Sequence, residues 1–481
     1  MKKILFATSE AVPFIKTGGL ADVTGSLPKY LDQEVYDVRV ILPKYLCMNK
    51  RFMEQLHFKC EFEVELGWRK QYTGIYETEV DGITYYLMDN EFYFAGNNPY
   101  GEIYQDVEKF AYFSKAVLEA LMHLDFQPDI IHCHDWQTGL IPVFLRNLYS
   151  DKSYYARIKT VYSLHNMKFQ GRWMVNEVKD ITGLPANIFT PDKLESYGES
   201  NYLKGGIVYA DAVTTVSETY AKEIMTPEGG EGLHGLLSAR RNDLYGIVNG
   251  LDYDVFNPET DKLIVKNFRA SNSKTGKRAN KTELQKQFGL PQESDTYLLG
   301  IVSRLTNQKG FDLVTYIMEE LLNTAKIQVI VLGTGEYQYE ESFRYFENKY
   351  PDKLKAYIGY SEEIAHKIYA SCDAFLMPSL FEPCGLSQLM SMRYGTLPIV
   401  RETGGLKDTV MPYNEYEQTG TGFSFANYNA HEMLNTIRYT LQIYYDHRKE
   451  WDAMVKRAMN TDFSWERSAG LYEELYEKLL G

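Results

Sequence analysis

Short apolar runs that end in polar, glycine-bearing turns recur along the chain, and an apolar pattern of helical spacing follows many of them. The first run, Ile4-Leu5-Phe6-Ala7, predicts a buried strand. Lys16-Thr17-Gly18-Gly19 comes next, and Leu20, Val23 and Leu27 then recur at helical spacing. Residues 38–42 predict a second strand, stopped by Pro43. Residues 58–90 differ. Phe62, Val64 and Leu66 alternate, as do Ile83, Tyr85 and Leu87, which predicts antiparallel strands inserted in the first half. A helix is expected from about residue 106 to 122, and further strands at 130–133, 160–164, 212–216 and 246–250, with Ser217 as a helix cap. The second half repeats the alternation, with strands at 297–302, 328–332, 374–377 and 397–400 and a helix at 311–322. Residues 451–480 read as helical.

The glycine pair falls on a strand-to-helix turn, where an open parallel sheet keeps its ligand. Glycine lets backbone approach a ligand, helix-start N–H groups accept an anion, and Lys16 adds a positive charge. A tight turn with a surface lysine would look the same. A second copy strengthens the ligand reading: Thr403-Gly404-Gly405-Leu406-Lys407-Asp408 matches Thr17-Gly18-Gly19-Leu20-Ala21-Asp22 at five of six positions. The pair points to two facing α/β halves.

Length changes this picture little, since 481 residues accommodate two domains. The net charge of −14 argues against nucleic-acid and anionic-membrane partners. Cys47, Cys60, Cys133, Cys372 and Cys384 are scattered with no Cys-x-x-Cys spacing, so a reducing compartment is expected. Met1-Lys2-Lys3 leads into the first strand, and neither a signal peptide nor a membrane-length apolar run is visible, so the reading is cytoplasmic. The basic stretch 266–281 reads as an exposed loop near the domain junction, and the glycine-rich 226–232 stretch as mobile.

Several polar clusters sit at predicted strand ends. His132, His134 and Asp135 form a candidate metal set, but alternation along a strand would turn Asp135 away from the two histidines. His165 ends the strand at 160–164 and lies at the ligand edge of the sheet. Asp252-x-Asp254 is accounted for by a turn after Asn249-Gly250. Arg304 and Lys309 flank a turn before a helix, which suits a pyrophosphate. Glu382 opens another such turn, and its charge suits a sugar hydroxyl rather than a phosphate. Two Rossmann-like halves joined near Gly250 would form a cleft holding Lys16 and Gly18-Gly19 on one side and Arg304, Lys309 and Glu382 on the other. These cations would neutralise a departing diphosphate without a metal. No two carboxylates are arranged as in a glycosidase.

Lys16-Thr17-Gly18-Gly19-Leu20-Ala21-Asp22-Val23 resembles the signature of bacterial glycogen synthases and plant starch synthases. So do His132-Cys133-His134-Asp135-Trp136, Leu164-His165-Asn166, Asn249-Gly250-Leu251-Asp252, Ser303-Arg304-Leu305-Thr306 with Gln308-Lys309-Gly310, and Phe381-Glu382-Pro383-Cys384-Gly385-Leu386. The motifs occur in family order over almost the whole chain. The resemblance implies a GT-B fold, with two Rossmann-like domains facing across a deep cleft. It implies domains at 1–246 and 247–458 and a final helix, 459–481, crossing back to the first. It also implies a retaining transferase that moves glucose from ADP-glucose to the non-reducing end of an α-1,4-glucan, with no cofactor or metal.

By motif, Lys16 and the Gly18-Gly19 backbone would contact the donor phosphates. Arg304 and Lys309 would hold the distal phosphate and stabilise the leaving group. Glu382 and the Cys384-Gly385-Leu386 backbone would bind the transferred glucose. His165 would lie at the reacting carbon with Asp135 nearby, and Tyr360 would stack on the base. Asp22, Tyr100, Asn166 and Asn249 are weaker candidates for sugar contacts. Two positions depart from the pattern: residues 32–37 replace a glycine-containing turn, and Phe256 stands where an indole is common. Three alternatives stay open on the residues alone: a related transferase with a small acceptor, a metal-dependent hydrolase, and a glucan-binding module without turnover.

Overall fold

The apolar run at the start of the chain becomes the middle strand of a nine-stranded sheet. The computed structural model describes residues 1–481 and divides into two units, Met1–Gly250 with Trp465–Gly481, and Leu251–Ser464. Strands of the first unit are β1 (Lys2–Ala7), β2 (Tyr36–Pro43), β3 (His57–Leu66), β4 (Arg69–Val80), β5 (Ile83–Asp89), β6 (Ile130–His134) and β7 (Lys159–Leu164). Three short strands, β8 (Arg172–Met174), β9 (Glu195–Ser196) and β10 (Glu199–Asn201), form a separate sheet, and β11 (Ala212–Thr215) and β12 (Leu244–Gly246) complete the large one. Its order is β12-β11-β7-β6-β1-β2-β5-β4-β3. The β3–β4 and β4–β5 pairings are antiparallel, as the alternating apolar pattern predicts, and the rest are parallel. Ile4, Leu5, Phe6 and Ala7 are fully buried, because helices cover both faces of a parallel sheet and leave no polar side.

The second unit has β13 (Tyr297–Val302), β14 (Ile327–Gly333), β15 (Leu354–Ile358), β16 (Ala374–Met377), β17 (Leu397–Arg401) and β18 (Phe423–Phe425), all parallel. The order β15-β14-β13-β16-β17-β18 is the Rossmann order. Chain direction across each sheet reverses between two neighbouring strands, β1 and β6 in the first unit and β13 and β16 in the second. Loops leaving the carboxyl ends of such a pair splay apart and make a ligand crevice.

The stretch 451–480 is two helices, Arg448–Asn460 and Trp465–Leu480, interrupted where Asp462 caps the Ser464 N–H. The second belongs to the first unit, and Trp465, Ala469, Tyr472 and Tyr476 form its buried stripe against the helix Gly19–Tyr30. The basic stretch is not an exposed loop. Most of it lies in the helix Ser273–Phe288, where Lys277 and Lys281 are four residues apart on a buried face. Lys281 Nζ is 2.6 Å from Asp373 Oδ2, and Lys277 Nζ donates to the Ala370 and Tyr394 carbonyls at 3.3 and 3.0 Å. Those carbonyls lie at the carboxyl ends of two other helices, which attract cations. Burial lowers the Lys277 ammonium to about 7. The 226–232 stretch is folded into hydrogen-bonded turns, and Gln170 Nε2 donates to the Glu231 carbonyl at 3.0 Å. Ser217 caps its helix as expected, accepting from the Tyr220 N–H at 3.1 Å.

Candidate active site

Beyond the carboxyl end of β1, the chain turns at Ser9-Glu10 and returns through Lys16-Thr17-Gly18-Gly19 into the helix Gly19–Tyr30. Glu10 is buried and organises this turn. Its carboxylate accepts from the Thr17 backbone N–H, from Thr17 Oγ1 at 2.7 Å and from the Tyr100 hydroxyl. Tyr100 also lies 2.8 Å from Ser9 Oγ. Lys16 is exposed and pairs with Asp22 at 2.7 Å, so two expected ligand contacts meet each other within the loop. Gly18 precedes the helix with no side-chain cap, which leaves the first N–H groups free to serve an anion.

The two glycine motifs prove physically different. Side chains added at Gly18 or Gly19 would meet no atom within 4 Å, and neither glycine has a left-handed backbone. Nothing in the protein itself requires glycine there. Gly404 has φ +46°, and a Cβ on it would lie 1.9 Å from the Glu382 carbonyl oxygen, while one on Gly405 would lie 2.1 Å from that of Cys384. The second pair is packing for the Glu382 turn. It follows β17, at a different place in its sheet from β1, so the motifs are not equivalent parts of a duplicated unit.

The carboxyl ends of β6 and β7 carry a histidine cluster. Asp135 leaves β6 with φ +55°, unusual for a non-glycine residue, and Oδ1 accepts the His165 backbone N–H at 2.7 Å. Burial pushes its carboxyl up to about 7, against the pull of N–H groups from His165 and Asn166. His165 Nε2 lies 3.0 Å from His134 Nδ1, and burial lowers the His165 imidazolium to about 4. His132 is engaged at both nitrogens, by Tyr476 at 2.7 Å and Ser163 at 2.6 Å. His132 and His134 are therefore structural members of the sheet interior. No group of three His, Cys, Asp or Glu side chains is placed to hold a metal ion. Asp252 Oδ1 accepts the Asp254 N–H at 2.9 Å, the turn expected there. Asn166 Oδ1 accepts from Lys168 N–H at 3.0 Å, and Asn249 is buried with its carbonyl oxygen unpartnered.

In the second unit, β13 runs into the 303–310 loop. Arg304 is exposed on it. Gly310, with φ +80°, lets the loop close on β16, since a Cβ there would lie 2.3 Å from the Pro378 carbonyl. That closure sets Lys309 Nζ 2.6 Å from Glu382 Oε2, and Ser379 Oγ donates to the same oxygen at 3.0 Å. Arg401 Nε donates to the Ser379 carbonyl at 2.8 Å and braces the turn from β17. Cys384 is buried, Gly385 has φ +72°, and Leu386 is half-buried before the helix Ser387–Arg393. Tyr360, just after β15, is 79% exposed and leaves its ring face open. Phe256 stacks on His366 at 4.8 Å, away from these loops.

Glu10 and Arg401 brace their loops without standing out in the sequence, and His134, which the sequence offers as a metal ligand, meets His165 instead. Glu10 offers the one faint signal, a carboxylate directly after a buried strand and just ahead of a glycine loop.

Residues 3–239 match the family described as starch synthase catalytic domain, and residues 281–458 match glycosyl transferases group 1. A protein of Lachnospira eligens named glycogen synthase is 60% identical over 479 residues, covering 100% of both chains. One of Lachnoclostridium phytofermentans with the same name is 57% identical, again with 100% of both covered. The catalytic domain of starch synthase IV from Arabidopsis thaliana, solved bound to ADP and acarbose, superposes with a TM-score of 0.91 at 34% identity, covering 100% of this chain and 99% of that one. Full-length identity at this level, over two Rossmann-ordered sheets, places the chain in the glycogen synthase and starch synthase family of glycosyltransferases with the GT-B fold.

Proposed function

We propose that this chain transfers glucose from ADP-glucose to the 4-hydroxyl at the non-reducing end of an α-1,4-glucan, with retention of configuration and without a metal. The observation that carries the reading is the content of the two switch points. One holds Lys16 beside glycines that no protein contact requires. The other holds exposed Arg304 and a Lys309 set in place by Glu382. Lys16 and the N–H groups at Gly18-Gly19 bind the donor phosphates. Arg304 and Lys309 take the distal phosphate and the charge that develops on it. Glu382 and the backbone of Cys384-Gly385-Leu386 bind hydroxyls of the transferred glucose, and Tyr360 stacks on the base.

The bond from glucose C1 to the phosphate oxygen breaks, and a bond from C1 to the acceptor oxygen forms on the same face. The departing phosphate oxygen takes the acceptor's proton. His165, tied to Asp135 through its backbone, supports the cationic sugar. Asp22, Tyr100, Asn166 and Asn249 are further contacts for donor or acceptor. Metal independence rests on cationic side chains standing where a metal would otherwise act. Five free cysteines suit the reducing cytoplasm, and no helix is long and apolar enough to cross a membrane.

Nucleotide release from ADP-glucose and UDP-glucose, with glycogen, with a monosaccharide or with no acceptor, and with and without EDTA, tests the reading. Release is expected from ADP-glucose, dependent on glycogen and unaffected by EDTA. Chelator-sensitive activity restored by Mg²⁺ refutes the metal-free mechanism, and release only with a monosaccharide acceptor refutes the glucan.

A further inference from the structure

His134 is fully buried at the end of β6, in a triangle of rings with Phe6 at 5.5 Å and His132 at 4.4 Å. Its Nδ1 faces His165 Nε2 at 3.0 Å, and its own Nε2 is buried without any partner. Burial holds both rings neutral, pushing His134 well below the ordinary histidine range and His165 down to about 4. Two neutral imidazoles sharing one hydrogen bond have two possible arrangements. If His165 donated from Nε2, His134 would carry its own proton on Nε2, as a buried N–H with no acceptor. If His134 donates from Nδ1, its Nε2 is a bare lone pair. Orphaned buried donors are rarer than under-satisfied acceptors, which selects the second arrangement. His165 Nε2 is then the acceptor, and its remaining proton sits on Nδ1.

We propose that His134 is a positioning residue that locks His165 as the Nδ1–H tautomer, so that the His165 ring meets the sugar as a hydrogen-bond donor. Its Nε2 is occupied by His134 and its Nδ1 already carries a proton. The ring therefore cannot take the acceptor's proton, which leaves that proton to the departing phosphate. This inference rests on the placement of His165 at the reacting sugar.

Ring-¹⁵N-histidine labelling of the full-length protein reads the tautomer directly, with the His165 signals identified by their loss in His165→Ala. The expected wild-type spectrum shows a bare Nε2 and a protonated Nδ1 for His165. His134→Asn keeps an amide N–H near the position of Nδ1 and should retain this pattern. His134→Leu removes the donor and should convert His165 wholly or partly to the Nε2–H form. On the same samples, His134→Leu should lower kcat by about 10- to 100-fold, the range for losing a partner that orients a functional histidine, and His134→Asn should recover most of it. A wild-type His165 protonated at Nε2 overturns the proposal, whatever the activity. So does a folded His134→Leu protein with an unchanged His165 spectrum and kcat. Should the wild type release no nucleotide from ADP-glucose, the functional reading fails while the spectrum still decides the tautomer.

Discussion

Lys309 Nζ stands 2.6 Å from Glu382 Oε2, and the two side chains are only 17% and 8% exposed. The cation proposed to serve the donor also neutralises a carboxylate that would otherwise be buried alone. Arg304, two residues past the end of β13, is exposed and has no such structural duty.

The two cations should consequently fail in different ways. Lys309→Ala and Arg304→Ala should each lower kcat by about 100-fold or more, the scale for losing one preorganised donor. Lys309→Ala should also destabilise the protein by up to about 3 kcal/mol, because it strands Glu382. Arg304→Ala should stay within about 0.5 kcal/mol of wild type. Calorimetry beside ADP-release kinetics checks this, and an equal loss of Tm in both variants would contradict it.

The glycine pairs make a second contrast. Gly18→Ala and Gly19→Ala meet no protein atom within 4 Å, so Tm should hold while KM for ADP-glucose rises. Gly404→Ala drives a Cβ to 1.9 Å from the Glu382 carbonyl at a left-handed backbone position, so Tm and activity should fall together. Unchanged KM in both Gly18→Ala and Gly19→Ala would remove the argument that a ligand, rather than the protein, requires those glycines.

Asp135 gives the protein a pH dependence of definite sign. Its folded value of about 7 lies above the ordinary aspartate value of about 3.9. Below about pH 4 both folded and unfolded states hold the proton, and the contribution to stability is complete. As pH rises towards 7, the unfolded chain releases the proton while the folded one keeps it, so stability is lost. Asp135→Asn should flatten the fall in Tm between about pH 4 and 7 while keeping an acceptor for the His165 N–H. The ionised carboxylate holds the His165 N–H more strongly than the acid does, so on the proposed mechanism wild-type kcat should rise through about pH 7 and the variant's should not. Identical Tm profiles for the two proteins would refute the assignment.

The parallel strands were legible because burial on both faces leaves continuous apolar runs such as Ile4-Leu5-Phe6-Ala7. Strand order is not written in such runs, so the switch points at β1/β6 and β13/β16 emerge only from the sheet. Arg304, Lys309 and Glu382 could be read as chemistry because charge after a strand needs a reason. Lys277 and Lys281 misled for the same cause: their partners, helix-end carbonyls and Asp373, lie about ninety residues further on. Glu10 escaped notice because it acts through Thr17, and His134 could be read only as a metal ligand because its partner is His165; no local spacing records either contact.

Glu10 supplies the most direct test of how the donor loop is held. Its carboxylate is 3% exposed and gathers three donors, the Thr17 N–H, the Thr17 hydroxyl and the Tyr100 hydroxyl. A carboxylate has no proton to offer, so it can accept all three at once. An aliphatic side chain of similar length accepts none of them: Glu10→Met removes both oxygens. That strips three part-buried donors of their acceptor, at about 1–3 kcal/mol. Thr17 stands between Lys16 and Gly18, so the loosened segment is the one proposed to carry the phosphate contacts. KM for ADP-glucose should rise by about tenfold, the equivalent of 1.4 kcal/mol, if half of that cost falls on the bound loop. Tyr100→Phe deletes one donor and leaves the carboxylate two partners, so it should cost about 1 kcal/mol of stability and change KM only a few-fold. The order wild type, Tyr100→Phe, Glu10→Met in rising KM is the expected result, and a folded Glu10→Met protein with wild-type KM would show that the loop is held by something else.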